Sequence, residues 1–305
     1  MVFLTDVTLR DGLQMEAVAI STEKKVKLAN LLVQCRYSRY EIASFVNPKW
    51  VPQFSDSAQF CEKFFDAAPS GEWMAFVPNL KGAERALKYP ISWLSTFVAA
   101  TESFNRKNVN CSRAETLSGI SAVLDASRKH GRKVRVYVST VFGCPYEGVP
   151  DRVELGKLLS QVIALNPDEI AISDTLGVAT PDKVEGVLRD FLSLWPALKT
   201  ACHFHNTYGL ALAASQAAYQ LGVRNFDGST AGLGGCPYAQ GATGNVPTED
   251  LAYLWFRQRQ YPGFQPKAIR SAGDFLSLDL KLKVQGSVMP LLRSGVSLFG
   301  EVNGG

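Results

Sequence analysis

The feature that most restricts the fold of this chain is a regular alternation of strand-like and helix-like segments. Eight short segments rich in β-branched and aromatic residues are separated by segments with helical apolar spacing. The strand-like segments are residues 2–8, 40–45, 73–77, 93–98, 134–141, 169–172, 201–205 and 225–229. The helix-like segments include residues 21–33, 54–66, 81–88, 112–129, 151–164, 181–194 and 210–221. Eight such units over about 250 residues predict an α/β fold of the (β/α)8, or TIM-barrel, type.

An open, doubly wound sheet is the alternative fold. We disfavour it because no Gly-x-Gly-x-x-Gly turn follows the first strand-like segment. No Ser/Gly-rich or Pro-rich linker divides the chain. We therefore predict a single catalytic domain over residues 1–305, with the barrel at about 2–260 and helical decoration over 261–305.

The composition argues against several classes of protein. A net charge of +4 over 305 residues is too small for a dedicated nucleic-acid surface. No run approaches 18 consecutive apolar residues, so we expect no membrane span. The six cysteines form no Cys-x-x-Cys pair, and the N-terminus lacks the features of a signal or transit peptide. We predict a cytoplasmic protein with reduced thiols, and a homodimer is compatible with the sequence.

Residues 201–206 (ACHFHN) contain two of the three histidines in the chain. Alternate side chains of a strand share a face, so His203 and His205 point the same way. Together with Asp11, which follows the first strand-like segment, they make a set of one carboxylate and two imidazoles. With no thiolate in the set, Mg²⁺ or Mn²⁺ fits better than structural zinc. A hydrogen-bonded histidine pair and a turn-forming aspartate are the alternatives.

Other polar residues lie just past strand-like segments, as Arg10 and Asp174 do, whereas Glu41 lies within the second segment. Chemistry in a barrel of this type occurs at the carboxyl ends of the strands, where Arg10, Glu41 and Asp174 are expected to converge. A guanidinium beside a metal can stabilise an enolate or carboxylate oxygen. A salt bridge from Arg10 to Glu41 or to Asp174 is compatible with that role.

A glycine-rich stretch over residues 232–245 carries Cys236 and ends at Asn245. A loop of this composition suits a segment that closes over a substrate, excludes water and brings an acid or base to the reacting group. Plain flexibility and an inert cysteine are the alternatives. Asn245 supplies an oxygen ligand if a metal binds here; otherwise it caps the helix that begins near Pro247.

These parts indicate a class of reaction. A metal that chelates a hydroxyl and a carbonyl oxygen, a cation near a developing enolate and an acid or base on a mobile loop suit carbon–carbon bond cleavage or formation beside a carbonyl. The residues alone do not name the substrate.

Seven stretches of the chain resemble 3-hydroxy-3-methylglutaryl-CoA lyase, a family of metal-dependent TIM-barrel lyases. They are residues 10–14 (RDGLQ), 44–53 (SFVNPKWVPQ), 107–111 (KNVNC), 142–148 (FGCPYEG), 173–178 (SDTLGV), 203–209 (HFHNTYG) and 231–245 (AGLGGCPYAQGATGN). The resemblance implies cleavage of a 3-hydroxy-3-methylglutaryl thioester to acetyl-CoA and acetoacetate, with an acyl-CoA as substrate and a place in leucine degradation.

The resemblance also assigns roles to single residues, which are expectations at this point. The metal ligands implied are Asp11, His203, His205 and Asn245. Arg10 would stabilise the enolate of acetyl-CoA, and Cys236 would act in proton transfer. Glu41 and Asp174 would be supporting carboxylates that orient Arg10 and the substrate hydroxyl. The hydroxyl proton would be removed with the help of Asp174 or of a metal-bound histidine such as His203.

The chain departs from the usual family pattern at four positions. Met15 follows Gln14 where an asparagine is usual, Leu9 replaces a proline, Asn47 a serine and Asn206 an aspartate. Because the implied metal set is intact, we expect the chemistry to be kept. Met15 and Asn47 motivate the hypothesis that the substrate differs in its 3-substituent.

Two other functions stay open from the sequence. One is an aldolase or condensing enzyme that acts on a 2-oxo acid, which the opening residues 6–11 (DVTLRD) would suit. The other is a barrel that has lost catalysis and serves as a scaffold. The stretch around Cys236 argues against the first, and the complete ligand set argues against the second.

Overall fold

The protein is a closed barrel of eight parallel strands in the order β1 to β8. The computed structural model describes residues 1–235 and 244–295. The strands are β1 Phe3–Asp6, β2 Arg39–Ser44, β3 Trp73–Phe76, β4 Trp93–Ala99, β5 Lys133–Ser139, β6 Glu169–Asp174, β7 Thr200–Phe204 and β8 Asn225–Gly228. The first and last strands pair in parallel from Phe3 opposite Asn225 to Asp6 opposite Gly228, which closes the sheet. The predicted (β/α)8 fold is confirmed.

Helices surround the sheet. Those of the barrel are α1 Thr22–Gln34, α2 Ser57–Asp66, α3 Leu80–Ala86, α4 Glu102–Val109, α5 Arg113–Lys129, α6 Arg152–Ala164, α7 Pro181–Leu192, α8 Ala211–Gln220 and α9 Thr248–Arg257. Local sequence sets several of their starts: Ser112 and Glu115 form a capping box at α5, and Asp151 accepts two backbone N–H groups at α6. Helix α4 was not predicted, because only two of its eight residues are apolar.

Two more helices follow the barrel, α10 Pro266–Asp274 and α11 Val288–Ser294. They agree with the predicted helical decoration as far as the described residues extend. That all of residues 1–305 form one domain stays a prediction, because residues 236–243 and 296–305 lie outside the described part. Among the residues that the structure describes, no helix is both long and apolar enough to cross a membrane.

The first strand is shorter than predicted. Residues 2–8 were expected to be extended, but β1 ends at Asp6 and a single π-helical turn occupies Thr8–Gly12. The turn forms because the backbone N–H groups of residues 10, 11 and 12 all donate to the carbonyl of Val7, at 3.1, 2.8 and 3.1 Å. The Asp6 carboxylate also accepts the N–H of Thr8 at 3.1 Å. This turn places Arg10 and Asp11 at the mouth of the barrel.

Two other strand ends differ from the prediction. Strand β6 continues to Asp174, which therefore ends the strand instead of following it. Strand β7 ends at Phe204, and His205 forms an isolated bridge with Asn245. In both places, backbone hydrogen bonds fix a residue whose side chain lies at the mouth of the barrel.

The interior of the barrel carries charge. Arg135, Glu169 and Asp227 are all buried, with exposed fractions of 0%, 3% and 2%. Next to them Tyr137, Ala171 and Ala201 form a small apolar cluster, against which Phe97 packs. Apolar residues fill the separate layer between the sheet and the helices. The barrel is therefore a packed core with an ionic centre, which lies beneath the mouth.

Candidate metal centre and active site

Three side chains from the first and seventh strand ends meet at the mouth of the barrel. Asp11, His203 and His205 each offer one ligand atom, and these atoms lie within 4.8 Å of one another. The Asp11 Oδ2 atom is 3.8 Å from Nε2 of His203 and 3.7 Å from Nε2 of His205. Asp11 and the two histidines, which are 192 and 194 positions apart in sequence, thus converge as strand-end geometry predicts.

Asn245 lies against this cluster. Its Nδ2 donates to Asp11 Oδ2 at 2.8 Å and to the carbonyl of Leu233 at 3.0 Å. Its Oδ1 is buried and has no hydrogen-bond partner among the described residues. A buried acceptor without a donor is costly unless something else binds it.

The donors present fit a hard divalent cation. A carboxylate, an amide oxygen and two imidazoles are ligands that Mg²⁺ and Mn²⁺ accept. The unsatisfied oxygen of Asn245 is the acceptor that a cation would use. Burial disfavours the charge on Asp11, but Arg10 and the two histidines outweigh it and hold the pKa of this carboxyl well below its usual range. Asp11 is therefore anionic at neutral pH and available to a cation.

Arg10 lies beside the cluster and is 7% exposed. Its Nε donates to Glu41, and one of its terminal nitrogens donates to Asp11. The guanidinium carbon is 5.4 Å from the ring centres of both Phe76 and Tyr137. Burial alone would lower the pKa of Arg10, but the charges of Asp11 and Glu41 raise it, so the group stays cationic. The side chain is fixed from several directions and needs little reorganisation to meet a substrate anion.

Glu41 and Asp174, which the sequence left as alternative partners of Arg10, have different contacts. Glu41 accepts from Arg10 and from the hydroxyl of Ser95. Asp174 instead accepts the backbone N–H groups of Gly177 at 3.0 Å and Ala179 at 2.7 Å. Burial raises the pKa of Asp174, although these hydrogen bonds partly oppose the shift. Glu41 is thus the carboxylate that holds Arg10, whereas Asp174 holds its own loop.

The arrangement matches a known family. A protein-family model described as HMGL-like covers residues 1–276. The chain belongs to the HMGL-like family. The family that the sequence motifs predicted is thereby confirmed.

Relatives within the HMGL-like family extend over most of the chain. A hydroxymethylglutaryl-CoA lyase of Bacillus subtilis is 42% identical over 253 residues, which cover 83% of this chain and 84% of that protein. A 3-hydroxy-3-isohexenylglutaryl-CoA/hydroxy-methylglutaryl-CoA lyase of Pseudomonas aeruginosa is 39% identical over 270 residues, 88% of this chain and 90% of that one. The structure of an HMG-CoA lyase from Acinetobacter baumannii, in complex with coenzyme A and 3-methylmalate, matches with a TM-score of 0.89 and 31% identity. The match covers 99% of this chain and 97% of the Acinetobacter chain.

The departures from the usual HMGL-like pattern have local explanations at two positions. Asn47 is exposed, and its Oδ1 accepts the N–H of Lys49 at 3.0 Å, so it stabilises its own turn. Asn206 accepts the N–H of Ala211 at the start of α8, at 3.2 Å. Met15 differs: its side chain is 45% exposed and lies 3.6 Å from where a Cβ on Gly235 would be. Of the two residues that motivated a different 3-substituent, only Met15 lies beside the glycine-rich stretch.

Cys236, the residue expected to transfer a proton, lies outside the described residues. Gly234 and Gly235, the last described residues before it, lie beside Asn245 and Met15 respectively. Its role stays a prediction from the sequence.

Sequence reasoning missed Asp227 and Arg135. Asp227 Oδ2 is 3.2 Å from Nδ1 of His203, and both oxygens of Asp227 lie within 2.8 Å of Arg135. Burial alone would raise the pKa of Asp227, but the charge of Arg135 and the hydrogen bond with His203 have the larger effect and lower it to about 2. One signal in the sequence could have revealed them. Arg135 is a charged residue within the apolar segment 133–139 (KVRVYVS), which a barrel must bury, and a buried charge needs a partner.

Proposed function

We propose that this protein is a divalent-metal-dependent lyase that cleaves 3-hydroxy-3-methylglutaryl-CoA to acetyl-CoA and acetoacetate. The observation that supports it is the cluster of Asp11, His203 and His205, with Asn245 hydrogen-bonded to Asp11 and Arg10 alongside. The relatives in the HMGL-like family carry the same activity in their names. The substrate class is the acyl-CoA implied by these relatives.

The four proposed ligands would hold Mg²⁺ or Mn²⁺. When bound, such a cation would accept substrate oxygens as ligands and would favour the ionised form of a hydroxyl. The protein contributes the anionic charge of Asp11 and the orientation of the two imidazoles. It also contributes the Asn245 oxygen, which is already desolvated. The residues therefore present a preformed donor set that needs little rearrangement.

The reaction requires one proton transfer at each end. The 3-hydroxyl loses its proton, C3 becomes the ketone carbon of acetoacetate, and the C2–C3 bonding electrons pass to the departing acetyl-CoA enolate. That enolate then takes a proton to form the methyl group. Arg10, held by Glu41, is placed to stabilise the developing enolate oxygen. We assign the first proton transfer to Asp174, because both ring nitrogens of His203 are engaged, Nδ1 by Asp227 and Nε2 by the proposed metal, and we assign the second to Cys236.

The 3-substituent is the part of the substrate that we leave to experiment. Met15 is half exposed beside Gly235, and a flexible thioether adapts to apolar groups of different size. We propose that Met15 contacts the 3-substituent, so that 3-hydroxyacyl-CoA esters with groups larger than methyl are also cleaved.

The test is an assay of the purified full-length protein with 3-hydroxy-3-methylglutaryl-CoA and with esters that carry a larger 3-substituent. We expect equal amounts of acetyl-CoA and the matching keto acid, loss of turnover with EDTA and recovery with Mg²⁺ or Mn²⁺. No cleavage of any ester in the presence of metal would contradict the proposal. Preference for the larger esters over the methyl substrate would favour the Met15 hypothesis.

Two competing functions give different results in the same assay. Condensation that depends on pyruvate or another 2-oxo acid would indicate an aldolase. One metal ion per chain with no turnover of any substrate would indicate a scaffold. Arg10 and Glu41 lie beside the metal-binding cluster, which is formed by Asp11, His203 and His205. This observation makes us prefer catalysis.

Compartment, assembly and pathway belong to the same proposal. We propose a cytoplasmic enzyme, since the five described cysteines are all free thiols. We also propose a homodimer and a role in leucine degradation. Cell fractionation, light scattering and growth on leucine of a strain that lacks the gene would test the three.

A further inference from the structure

The two histidines of the metal-binding cluster are held in different ways. His203 Nδ1 is 3.2 Å from the Asp227 carboxylate, and its Nε2 is 3.8 Å from Asp11. A nitrogen that contacts a buried carboxylate carries the ring proton, so the lone pair lies on the other nitrogen. The Asp227 contact therefore leaves Nε2 of His203 as the atom available to a metal.

His205 has no equivalent support. Its Nε2 is 3.7 Å from Asp11, but its buried Nδ1 has no hydrogen-bond partner among the described residues. The two rings are 5.4 Å apart and face the same carboxylate. The barrel interior thus orients His203 alone, and a change beneath the cluster should affect this one ligand first.

Asp227 is itself fixed by Arg135. One terminal nitrogen of Arg135 lies 2.7 and 2.8 Å from the two oxygens of Asp227 and 3.2 Å from the hydroxyl of Tyr137. The other terminal nitrogen donates to Thr5 at 3.3 Å, and Nε donates to Glu169. Arg135 is fully buried, so water does not compete for these donors. The Asp227 carboxylate has little freedom to turn.

The chain of ion pairs continues to the opposite end of the barrel. Glu169 also accepts from Arg39 at 3.0 Å, and Arg39 donates to Glu72 at 2.9 Å. The Arg39 guanidinium lies 3.8 Å from the ring centre of Trp93. Only Glu72, whose side chain is 38% exposed, reaches solvent to a large extent. A continuous series of ion pairs and hydrogen bonds between charged groups thus connects the base of the barrel to His203.

We infer that Asp227, held by Arg135, is a positioning residue that fixes the ring of His203 with Nε2 towards the metal site and so sets the metal affinity. This inference rests on the proposed metal centre but not on the identity of the substrate. An outer-sphere carboxylate of this kind changes metal affinity by about 10–100-fold.

The substitution Asp227→Asn tests the inference sharply. Arg135 offers only donors, so it will bind the amide oxygen of Asn and turn the amide NH₂ towards His203. The ring must then accept at Nδ1 and carry its proton on Nε2, which cannot bind a metal. We expect Mn²⁺ affinity, measured by electron paramagnetic resonance, to fall about 10–100-fold.

The double variant Arg135→Met with Asp227→Asn separates positioning from simple damage. Without Arg135 the Asn amide can turn its oxygen to Nδ1 of His203, so part of the Mn²⁺ affinity should return. A purely structural role predicts that the double variant binds Mn²⁺ more weakly than the single one. Glu72→Gln, at the exposed end of the ion-pair chain, is the control and should keep Mn²⁺ affinity within about twofold.

A measurement on the unaltered protein decides the matter if a variant does not fold. The chain has only three histidines, so long-range ¹H–¹⁵N spectra of the metal-free protein are simple to assign. We expect the proton of His203 on Nδ1. A proton on Nε2, or wild-type Mn²⁺ affinity in folded Asp227→Asn, would overturn the inference. Absence of Mn²⁺ binding by the wild-type protein would instead overturn the proposed metal centre.

Discussion

Asn245 donates its side-chain N–H to Asp11 Oδ2 at 2.8 Å, although the two residues are 234 positions apart. The contact joins the segment after β1 to the end of the glycine-rich stretch. It leaves the Asn245 oxygen buried and without a partner among the described residues. One residue therefore both orients the Asp11 carboxylate and offers a neutral oxygen of its own.

Gly234→Ala should disturb this contact. Gly234 has φ +111°, and an added Cβ would lie 2.7 Å from Nδ2 of Asn245. The strained backbone and the clash should together cost about 1–3 kcal/mol, and Mn²⁺ affinity should fall as Asn245 is displaced. Calorimetric metal titration and chemical denaturation measure the two effects. Gly119→Ala in α5 is the control, because its Cβ would meet no described atom within 4 Å. It should be neutral or stabilising by about 0.5–1 kcal/mol.

His203→Ala should remove metal and activity together. The substitution deletes one ligand and leaves the Asp227 carboxylate without its imidazole partner. We expect metal affinity to fall by at least about 100-fold and turnover to fall in parallel. His130→Ala is the matched control, since the His130 side chain is exposed and, among the bonds described, contacts only the carbonyl of Ala126. A His203→Ala protein that keeps both metal and turnover would contradict the account.

Arg10→Lys should slow catalysis but keep the metal. A lysine keeps the charge but cannot bond Glu41 and Asp11 with a planar fork, so its position over the enolate oxygen is lost. We expect kcat to fall by about 10²–10³, with Mn²⁺ stoichiometry unchanged. Steady-state kinetics at saturating metal give the answer, and an unchanged kcat would refute the role of Arg10.

The order of the elements could be predicted from sequence, because strand and helix periodicities are local properties. The turn over Thr8–Gly12 could not, because it depends on three N–H groups that share the carbonyl of Val7. The ligand set Asp11, His203 and His205 was accessible because strand ends of a barrel meet at one mouth. The contact between Asp227 and His203 was not accessible, since it depends on the register between β7 and β8, which sets His203 opposite Asp227.

Glu249 should make stability depend on pH. It is fully buried, and burial together with the nearby charge of Asp250 raises its pKa well above the usual value. The folded protein therefore holds a proton that the unfolded chain releases above about pH 4.3. Stability should fall as pH rises from there towards the folded pKa, by up to about 1.4 kcal/mol per pH unit.

Glu249→Gln should remove this part of the dependence. The amide oxygen still accepts the N–H of Ala231, which Glu249 accepts at 3.0 Å. We expect the difference in unfolding free energy between the variant and the wild type to grow in favour of the variant from pH 5 to pH 8, as measured by urea denaturation. Asp6, whose pKa burial also raises, is present in both proteins; its charge also raises the pKa of Glu249, so the measured difference includes this coupling. Parallel pH profiles would show that Glu249 is not protonated in the folded state.

The central claim is that one divalent cation binds where Asp11, His203, His205 and Asn245 meet. The most direct measurement is the anomalous difference map of a crystal grown with Mn²⁺. We predict a single strong peak, about 2.0–2.3 Å from a carboxylate oxygen of Asp11, Nε2 of each histidine and Oδ1 of Asn245. A map without a peak at this point, or with the ion bound by other residues, would contradict the account.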